Sequence, residues 1–188
     1  TSYFMMVFHT PPAVHDDFFP LMVMDAILGG AKGMGFFGGG GNNRSNRLYK
    51  ALQESHITVG AGSMYRPAID TTLFTFYATL APEVTHAQIE EAFWQEIKAI
   101  QQDGITEREL EKAAKQLKAQ FAYSSESVTS QAYWIGFSEI VASTEWLDGW
   151  LDRLADVTSA DVLRVAQQYF AQDRQTIGWY LPDPNLVL

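Results

Sequence analysis

The spacing of apolar residues divides the chain into strands near its ends and middle, with helices between them. Four segments predict strands: residues 3–8, 57–65, 71–80 and 176–181. The first is continuously apolar and aromatic from Tyr3 to Phe8, which predicts a strand buried on both faces. The second and third are joined by a turn at residues 66–70, so they predict a hairpin.

Helical spacing of apolar residues marks most of the rest of the chain. The predicted helices cover residues 18–28, 48–55, 85–102, 107–123, 127–142, 145–155 and 159–170. Thr85 with Gln88, and Thr106 with Glu109, fit the capping box that satisfies the first free amides of a helix. The pair Asp16-Asp17 precedes the first helix, where a carboxylate N-cap is expected. Blocks of helix between strands predict an α+β domain with a mostly antiparallel sheet backed by helices.

A glycine-rich segment separates the first two helices. Residues 29–41 contain eight glycines in thirteen positions, too few side chains to build a core, so we expect a loop. It is longer than a helix connection needs. It is either a loose surface insertion, or a peptide-binding loop that offers backbone amides between the apolar Met34, Phe36 and Phe37. The candidate peptide-binding residues are Gly30, Gly33, Gly35, Phe36, Phe37, Gly38, Gly39, Gly40 and Gly41.

Composition limits the class of protein. With 188 residues, 47% of them hydrophobic and 13% aromatic, we expect one domain over residues 1–188, cut from a longer chain. The formal charge of −9 is spread along the chain, which disfavours a nucleic-acid partner. No apolar run approaches the roughly 20 residues of a membrane span, so we expect a soluble protein of bacterial cytoplasm or periplasm. The absence of cysteine excludes disulfides and thiolate metal ligands but does not decide the compartment.

No catalytic motif is complete in this chain. A zinc peptidase of the inverted type needs H-x-x-E-H, so that two imidazoles one helical turn apart face the ion. The four histidines, at positions 9, 15, 56 and 86, do not have that spacing. His15 stands beside Asp16 and Asp17 at a helix start, where we expect capping and surface roles rather than a metal site. No G-x-S-x-G elbow surrounds any serine. Residues 33–38 match G-x-G-x-x-G, but they follow a helix rather than a strand, so a dinucleotide site is not expected.

Several short motifs, taken in order, resemble the second-half domain of M16 zinc peptidases, the pitrilysin and mitochondrial-processing-peptidase kind. They are Asp17-Phe18-Phe19-x-Leu21, Ile27-Leu28-Gly29-Gly30, Ser45-x-Arg47-Leu48-Tyr49-x-x-Leu52-x-Glu54, Ala81-Pro82-Glu83, Gly104-Ile105-Thr106-x-x-Glu109-Leu110 and Leu181-Pro182. The resemblance covers nearly the whole chain. It implies a LuxS/processing-peptidase-like two-layer α+β domain that is inactive alone.

The resemblance also implies partners. In that family two related domains or subunits close around a chamber where peptides bind as added strands, and one half holds zinc through H-x-x-E-H. We therefore expect no cofactor in this chain, zinc in a partner domain or subunit, and an extended peptide as substrate. The segment at 29–41 is similar to the substrate-contacting glycine loop of the non-catalytic α subunit of mitochondrial processing peptidase.

One departure from the family pattern leaves a second function open. Many members carry an arginine and a tyrosine in this half that reach the zinc site, and those positions correspond here to Gln53 and Val59. Tyr65 and Arg66 lie nearby, but at a hairpin tip they would point elsewhere. The chain is then either a substrate-holding, partner-binding domain of a zinc endopeptidase, or a catalytically dead assembly subunit like the core proteins of respiratory complexes.

Overall fold

A computed structural model describes residues 1–32 and 44–182. Its strands are β1 (Tyr3–Thr10), β2 (Thr58–Met64), β3 (Thr72–Leu80) and β4 (Gln175–Tyr180). They form one sheet in the order β2-β3-β1-β4, and each neighbouring pair is antiparallel. The predicted hairpin is β2 with β3. The α+β class and the antiparallel sheet are therefore confirmed.

Seven α-helices cover most of the remaining described residues. They are α1 (Phe18–Gly29), α2 (His86–Asp103), α3 (Glu107–Ser124), α4 (Val128–Val141), α5 (Thr144–Asp148), α6 (Trp150–Ala155) and α7 (Ser159–Tyr169). A short π-helical segment, Tyr49–Gln53, occupies the predicted second helix, and a 3-10 turn, Gln172–Arg174, precedes β4. The predicted helix at 145–155 is divided near Gly149. No described helix combines the length and hydropathy that crossing a bilayer requires.

The first strand is buried on one face only, so the prediction of burial on both faces is wrong. Along β1, Phe4, Met6 and Phe8 are buried, whereas Tyr3 and Met5 are about half exposed. The physical reason is that α1, α2 and α7 pack against the face that carries the even-numbered residues. The described helices leave the other face open. A continuous apolar run therefore indicates that both faces of a strand are apolar, but it does not indicate that helices cover both faces.

Aromatic side chains join the sheet to the helices. The ring of Phe170, directly after α7, lies 4.9 Å from those of Phe8 and Phe74 between centroids. Phe93 of α2 stacks on Phe4 at 5.6 Å and meets Phe76 edge-on at 5.4 Å. Fully burying a side chain of this size contributes about 1.5 to 3 kcal/mol. This cluster holds α2 and α7 against one face of the sheet.

The two predicted capping boxes are confirmed, and the predicted acidic cap is wrong. Thr85 accepts a hydrogen bond from the amide of Gln88, whose side chain accepts one from the Thr85 amide, and Thr106 does the same with Glu109. Asp17 occupies the N-cap position of α1, but its side chain makes no capping hydrogen bond. Its carboxylate turns into the fold and pairs with residues of α7. The Asp17 carboxylate therefore binds residues of α7 instead of the first free amides of α1.

Helix α1 is buried around its whole circumference. Residues 18–28 are all buried, because α3, α6, α7 and β2 surround the helix. Such a helix is expected to be apolar throughout. Asp25 is the charged residue of α1, and a carboxylate in this position requires partners. Its partners are Lys32, at the start of the glycine-rich segment, and Ser63 of β2.

Candidate functional site

The predicted peptide-binding residues fall mostly outside the described part of the chain. Gly30 is described: it is buried, has φ of 86°, and its amide donates to the carbonyl of Ala26 to end α1. The positive φ explains the glycine, since other residues rarely adopt it. Residues outside the described ranges are Gly33, Gly35, Phe36, Phe37, Gly38, Gly39, Gly40 and Gly41. Their role in peptide binding stays a prediction.

The chain enters the glycine-rich segment through a cluster of three polar side chains, which we call the entrance cluster: Asp25, Lys32 and Ser63. The Ser63 hydroxyl donates to Asp25 Oδ1 over 2.5 Å. Lys32 Nζ donates to both carboxylate oxygens, over 3.0 and 3.2 Å, and to the carbonyl of Gly30 over 3.1 Å. The cluster thus connects α1, β2 and the chain that follows Gly30.

A close approach between α1 and β2 shapes this cluster. A Cβ added at Gly29 would collide with the Ser63 hydroxyl and lie 2.8 Å from the Ser63 backbone nitrogen. Glycine at position 29 therefore lets the last turn of α1 contact β2 directly. The sequence motif Gly29-Gly30 signals a helix end, but it does not show that the first glycine serves packing and the second serves backbone conformation.

The chain leaves the glycine-rich segment against α3. Arg47 Nε and Nη2 donate to the two carboxylate oxygens of Glu109 over 2.7 and 3.0 Å. Lys112 Nζ donates to the carbonyl and the hydroxyl of Ser45, over 3.1 and 2.5 Å. Burial alone would raise the pKa of Glu109, but hydrogen bonds from Arg47 and Thr106 and the charge of Arg47 outweigh it and lower the pKa to about 2. A paired, ionised Glu109 fixes this end of the segment.

The two positions that depart from the family pattern do not gather into a reactive site. Gln53 Nε2 donates to the carbonyl of Ala61 over 3.2 Å, which ties the π-helical segment to β2. Val59 is 71% exposed. Tyr65 is buried, and its hydroxyl donates a hydrogen bond to the carbonyl of Pro11. Burial, and then the charges of Tyr169 and Asp17, raise the pKa of Tyr65 above its ordinary value. It therefore faces the core rather than a substrate.

The histidines do not fit a zinc ion. His86 is buried, its Nε2 lies 3.1 Å from the carbonyl oxygen of Tyr3, and its ring stacks on Trp179. His15 Nδ1 accepts from the amide of Asp17 over 3.0 Å. Among residues 1–32 and 44–182 no group of three or more histidine, aspartate or glutamate side chains could hold a metal.

The face of the sheet away from the helices, which we call the open face, is largely apolar and carries no carboxylate, lysine or arginine side chain. The register of the strands places on it Tyr3, Met5, Val7, His9, Leu73, Thr75, Tyr77, Thr79, Gly60, Gly62, Met64, Thr176, Gly178 and Tyr180. None of these is aspartate, glutamate, lysine or arginine, although the chain carries 22 acidic and 13 basic residues. Acidic, lysine and arginine side chains are thus absent from this side of the described sheet.

A hollow of 420 Å³ lies at the β1–β4 end of the open face. Its lining includes Tyr3, Met5, Tyr77, Gly178 and Tyr180. The rings of Tyr3 and Tyr180 lie 5.7 Å apart, and a Cβ at Gly178 would meet nothing within 4 Å. Sequence reasoning missed this surface, yet the apolar run at residues 3–8 was a signal for it, because it requires both faces of the strand to be apolar.

Comparisons with known proteins agree with the fold. The chain is 25% identical over 161 residues to a protein named uncharacterized zinc protease YmxG from Bacillus subtilis (strain 168), covering 85% of this chain and 36% of that one. A protease structure from Helicobacter pylori matches with a TM-score of 0.85 at 20% identity, covering 96% of this chain and 41% of that chain. A chain of complex III2 from Candida albicans matches with a TM-score of 0.76 at 16% identity, covering 95% and 42%.

The likeness to the solved structures establishes the fold, and the family follows from a direct sequence match. The chain spans about a third of the Bacillus relative (36%), so that protein is far longer than the region compared. A family model described as the peptidase M16 inactive domain matches residues 1–117, more than half of the chain. With the antiparallel sheet, the buried α1 and the glycine-rich segment in the expected order, this chain belongs to the family of peptidase M16 inactive domains.

Proposed function

We propose that this chain is a non-catalytic domain of an M16-type zinc endopeptidase, where it binds a zinc-bearing partner half and holds an extended peptide. The observation that carries the proposal is the open face, a largely apolar surface without aspartate, glutamate, lysine or arginine on a chain of net charge −9. Zinc and the water attack belong, in this proposal, to an H-x-x-E-H domain or subunit, on the same polypeptide or a separate one.

The open face supports partner binding on energetic grounds. Tyr3 and Met5 are about 50% exposed, and Leu73 and Tyr77 are more than 40% exposed, on one contiguous sheet. Contiguous apolar surface of this kind is unfavourable in water and marks interaction sites. Because the face carries no aspartate, glutamate, lysine or arginine, the surface that covers it should be largely apolar as well.

Two features support peptide holding. Strands β2 and β4 are the edges of the described sheet, so each offers backbone donors and acceptors that the other described strands do not pair. The described residues on either side of the glycine-rich segment are held in place, at the entrance cluster before it and at the Arg47–Glu109 pair after it. A segment fixed at both ends is suited to present its amides to a peptide, because less conformational freedom is lost on binding.

A second candidate is an assembly subunit without peptidase function. Gln53 and Val59 favour it, since Gln53 is engaged with Ala61 and Val59 is aliphatic, and neither could bind an oxyanion as arginine and tyrosine would. The fold is shared with a chain of complex III2, although likeness at 16% identity concerns the fold alone. In this alternative the open face would still bind a partner, and the glycine-rich segment would hold no peptide.

Zinc-dependent cleavage of an unfolded polypeptide separates the two candidates. β-Casein is incubated with this chain, with its H-x-x-E-H half, and with the two mixed, each with and without a zinc chelator. Chelator-sensitive cleavage in the mixture alone supports the substrate-holding domain. A stable complex without cleavage supports the assembly subunit, and the absence of a complex contradicts both.

A further inference from the structure

Gly178 is a glycine that the described part of the domain does not itself require. It lies inside β4, opposite Met5 of β1 in regular antiparallel register. Its φ is not in the positive range that favours glycine, and a Cβ at this position would meet no described atom within 4 Å. Glycine is unfavourable inside a strand, because it has no side chain to pack and loses the most backbone freedom on folding. Such a glycine is typical of a place where a ligand or another chain comes close.

The other edge strand shows what a glycine on the open face accommodates. Gly62 of β2 pairs with Tyr77 of β3. A Cβ at Gly62 would lie 2.7 Å from the Tyr77 hydroxyl oxygen and 3.0 Å from Tyr77 Cζ, so this ring lies over the glycine. A ring in this position supplies the packing that an edge glycine lacks. Gly178 has the same place on its own edge strand, but its partner Met5 does not cover it.

The walls of the hollow above Gly178 are suited to an aromatic ring. Tyr3 and Tyr180 line it with rings that are at least half exposed, and Met5 lines it from β1. Aromatic rings attract one another edge-on or offset, and a thioether sulfur makes favourable contacts with ring edges. The volume of 420 Å³ lies within the range of about 300 to 1,000 Å³ that is usual for pockets that hold small ligands. One ring can therefore enter.

The charge of the open face favours a neutral occupant. The strand register places no aspartate, glutamate, lysine or arginine on this face. His9 shares the face, but it lies opposite Leu73 at the other end of β1. A charged side chain in the hollow would therefore lose its water without gaining a counter-ion. Tyrosine rings do attract cations, so a guanidinium is the competing occupant that an experiment has to exclude.

We propose that the hollow above Gly178 binds one aromatic side chain presented by the H-x-x-E-H half, and that this side chain anchors the contact between the two halves. The inference rests on the proposed function for the source of the ring, whereas the class of ligand follows from the hollow itself. Buried rings set in pockets contribute a large share of the binding free energy of many interfaces. Filling the hollow should therefore weaken the complex without harming the domain.

A free indole tests the class of ligand without the partner. N-acetyl-tryptophanamide is titrated into the full chain with isotope-labelled methionine methyl groups, and N-acetyl-argininamide is the charged comparison. The methyl signal of Met5 should shift saturably at roughly millimolar tryptophanamide. The signal of Met64, at the far edge of the same face, should not shift. Gly178→Val should abolish the Met5 shift, because its side chain occupies the hollow, and argininamide should leave both signals unchanged.

Variants of β4 test the anchor in the complex. Gly178→Ala and Gly178→Val should weaken binding of the H-x-x-E-H half by about threefold and at least about tenfold, because they fill the hollow progressively. Their melting temperatures should not fall, because each side chain restricts the unfolded chain and meets no described atom in the folded one. Thr176→Ile is the matched control: it adds bulk to the same face of the same strand, outside the hollow, and should change affinity less than about twofold.

The outcomes separate the inference from the proposed function. No Met5 shift with tryptophanamide, an equal shift with argininamide, or a shift that survives Gly178→Val would overturn the aromatic site. Equal affinity of the parent and Gly178→Val for the H-x-x-E-H half, or an equal loss in Thr176→Ile, would overturn the anchor and leave the proposed function intact.

Two further outcomes concern the source of the ring. Sedimentation of the chain alone would overturn the assignment to the H-x-x-E-H half if it showed self-association that Gly178→Val abolishes, because a second copy would then fill the hollow. A saturable tryptophanamide shift in a chain that binds no H-x-x-E-H half would support the class of ligand and contradict the proposed function.

Discussion

The hydroxyl of Tyr169 donates a hydrogen bond of 2.6 Å to the carboxylate of Asp17, a residue 152 positions earlier in the chain. Arg164, five residues before Tyr169 in α7, lies 2.7 Å from the other oxygen of the same carboxylate. Asp17 is buried, so α7 supplies the partners that keep this charge inside the fold. The start of α1 is thereby joined to the last helix.

Tyr169→Phe should destabilise the domain by about 2 kcal/mol, because it removes a hydrogen bond to a charged group that stays buried. Burial, and then the hydrogen bond and charge of Asp17, raise the pKa of Tyr169 above the ordinary value, so the hydroxyl stays protonated and donating through neutral and mildly basic pH. Urea unfolding measures the loss. Tyr123→Phe, at a side chain that is 66% exposed, is the control and should change little. Equal effects in the two variants would contradict the assigned role.

The Arg47–Glu109 pair should make stability depend on pH in the acid range. The pKa of Glu109 falls from 4.5 to about 2 on folding, so its stabilisation is fully present above pH 4.5 and is lost between pH 4.5 and about 2. Because the pair is partly exposed, we expect about 1 kcal/mol after solvent screening. Urea unfolding of the parent and of Glu109→Gln should show this difference at pH 6 and almost none near pH 2. A difference that does not change with pH would contradict the assignment.

Gly29→Ala should destabilise the domain by about 1 to 3 kcal/mol, because the added methyl group meets Ser63 and forces α1 away from β2. Gly178→Ala is the control, since a Cβ there meets nothing within 4 Å. Thermal unfolding of the two variants measures the difference. If both behave like the parent, the close approach between α1 and β2 is not required.

Met5→Glu should weaken binding of the H-x-x-E-H half at least about tenfold, since it places a carboxylate in the middle of a largely apolar surface that carries no other carboxylate. Stability should hardly change, because Met5 is 51% exposed. Val128→Glu, at an apolar residue on α4 that is 81% exposed, is the matched control and should bind as the parent does. Sedimentation or calorimetry with the partner half gives the affinities. Normal binding by Met5→Glu would exclude the open face as the interface.

Deleting residues 33–40 should weaken β-casein binding while leaving the melting temperature nearly unchanged, because five of those eight residues are glycines, which have no side chain to bury in a core. The deletion keeps Lys32, since its removal would leave the buried Asp25 without its ion pair. Calorimetric unfolding and anisotropy are measured on the same samples. An unfolded product would mean that the segment is structural, and undiminished binding would mean that peptides are held elsewhere.

Local chemistry made much of the fold predictable. The capping boxes at Thr85 and Thr106 each join residues three positions apart, so the sequence contains both partners side by side. The hairpin of β2 and β3 follows from two apolar strands and a turn between them. The M16 resemblance depended on the order of such local motifs, and the family match confirms it.

The candidate site was less predictable, because its residues are distant in sequence. Asp25 and Ser63 are 38 positions apart, and Arg47 and Glu109 are 62 apart. Nothing in their local spacing indicates that they meet. The acidic cap predicted at Asp16-Asp17 failed for the same reason, since α7 supplies Asp17 with partners that local pattern cannot show.

The sequence by itself determined most of the elements, their order and the α+β class, since these depend on apolar spacing and on hydrogen bonds between near neighbours. It also determined the family, through the order of its short motifs. Only the tertiary structure decided which face of β1 is covered, because Phe4 and Tyr3 differ in burial solely through the helices that pack on one side. It also decided the pairing of Asp25 with Lys32 and Ser63, since a buried carboxylate takes its partners from whichever elements the packing brings near.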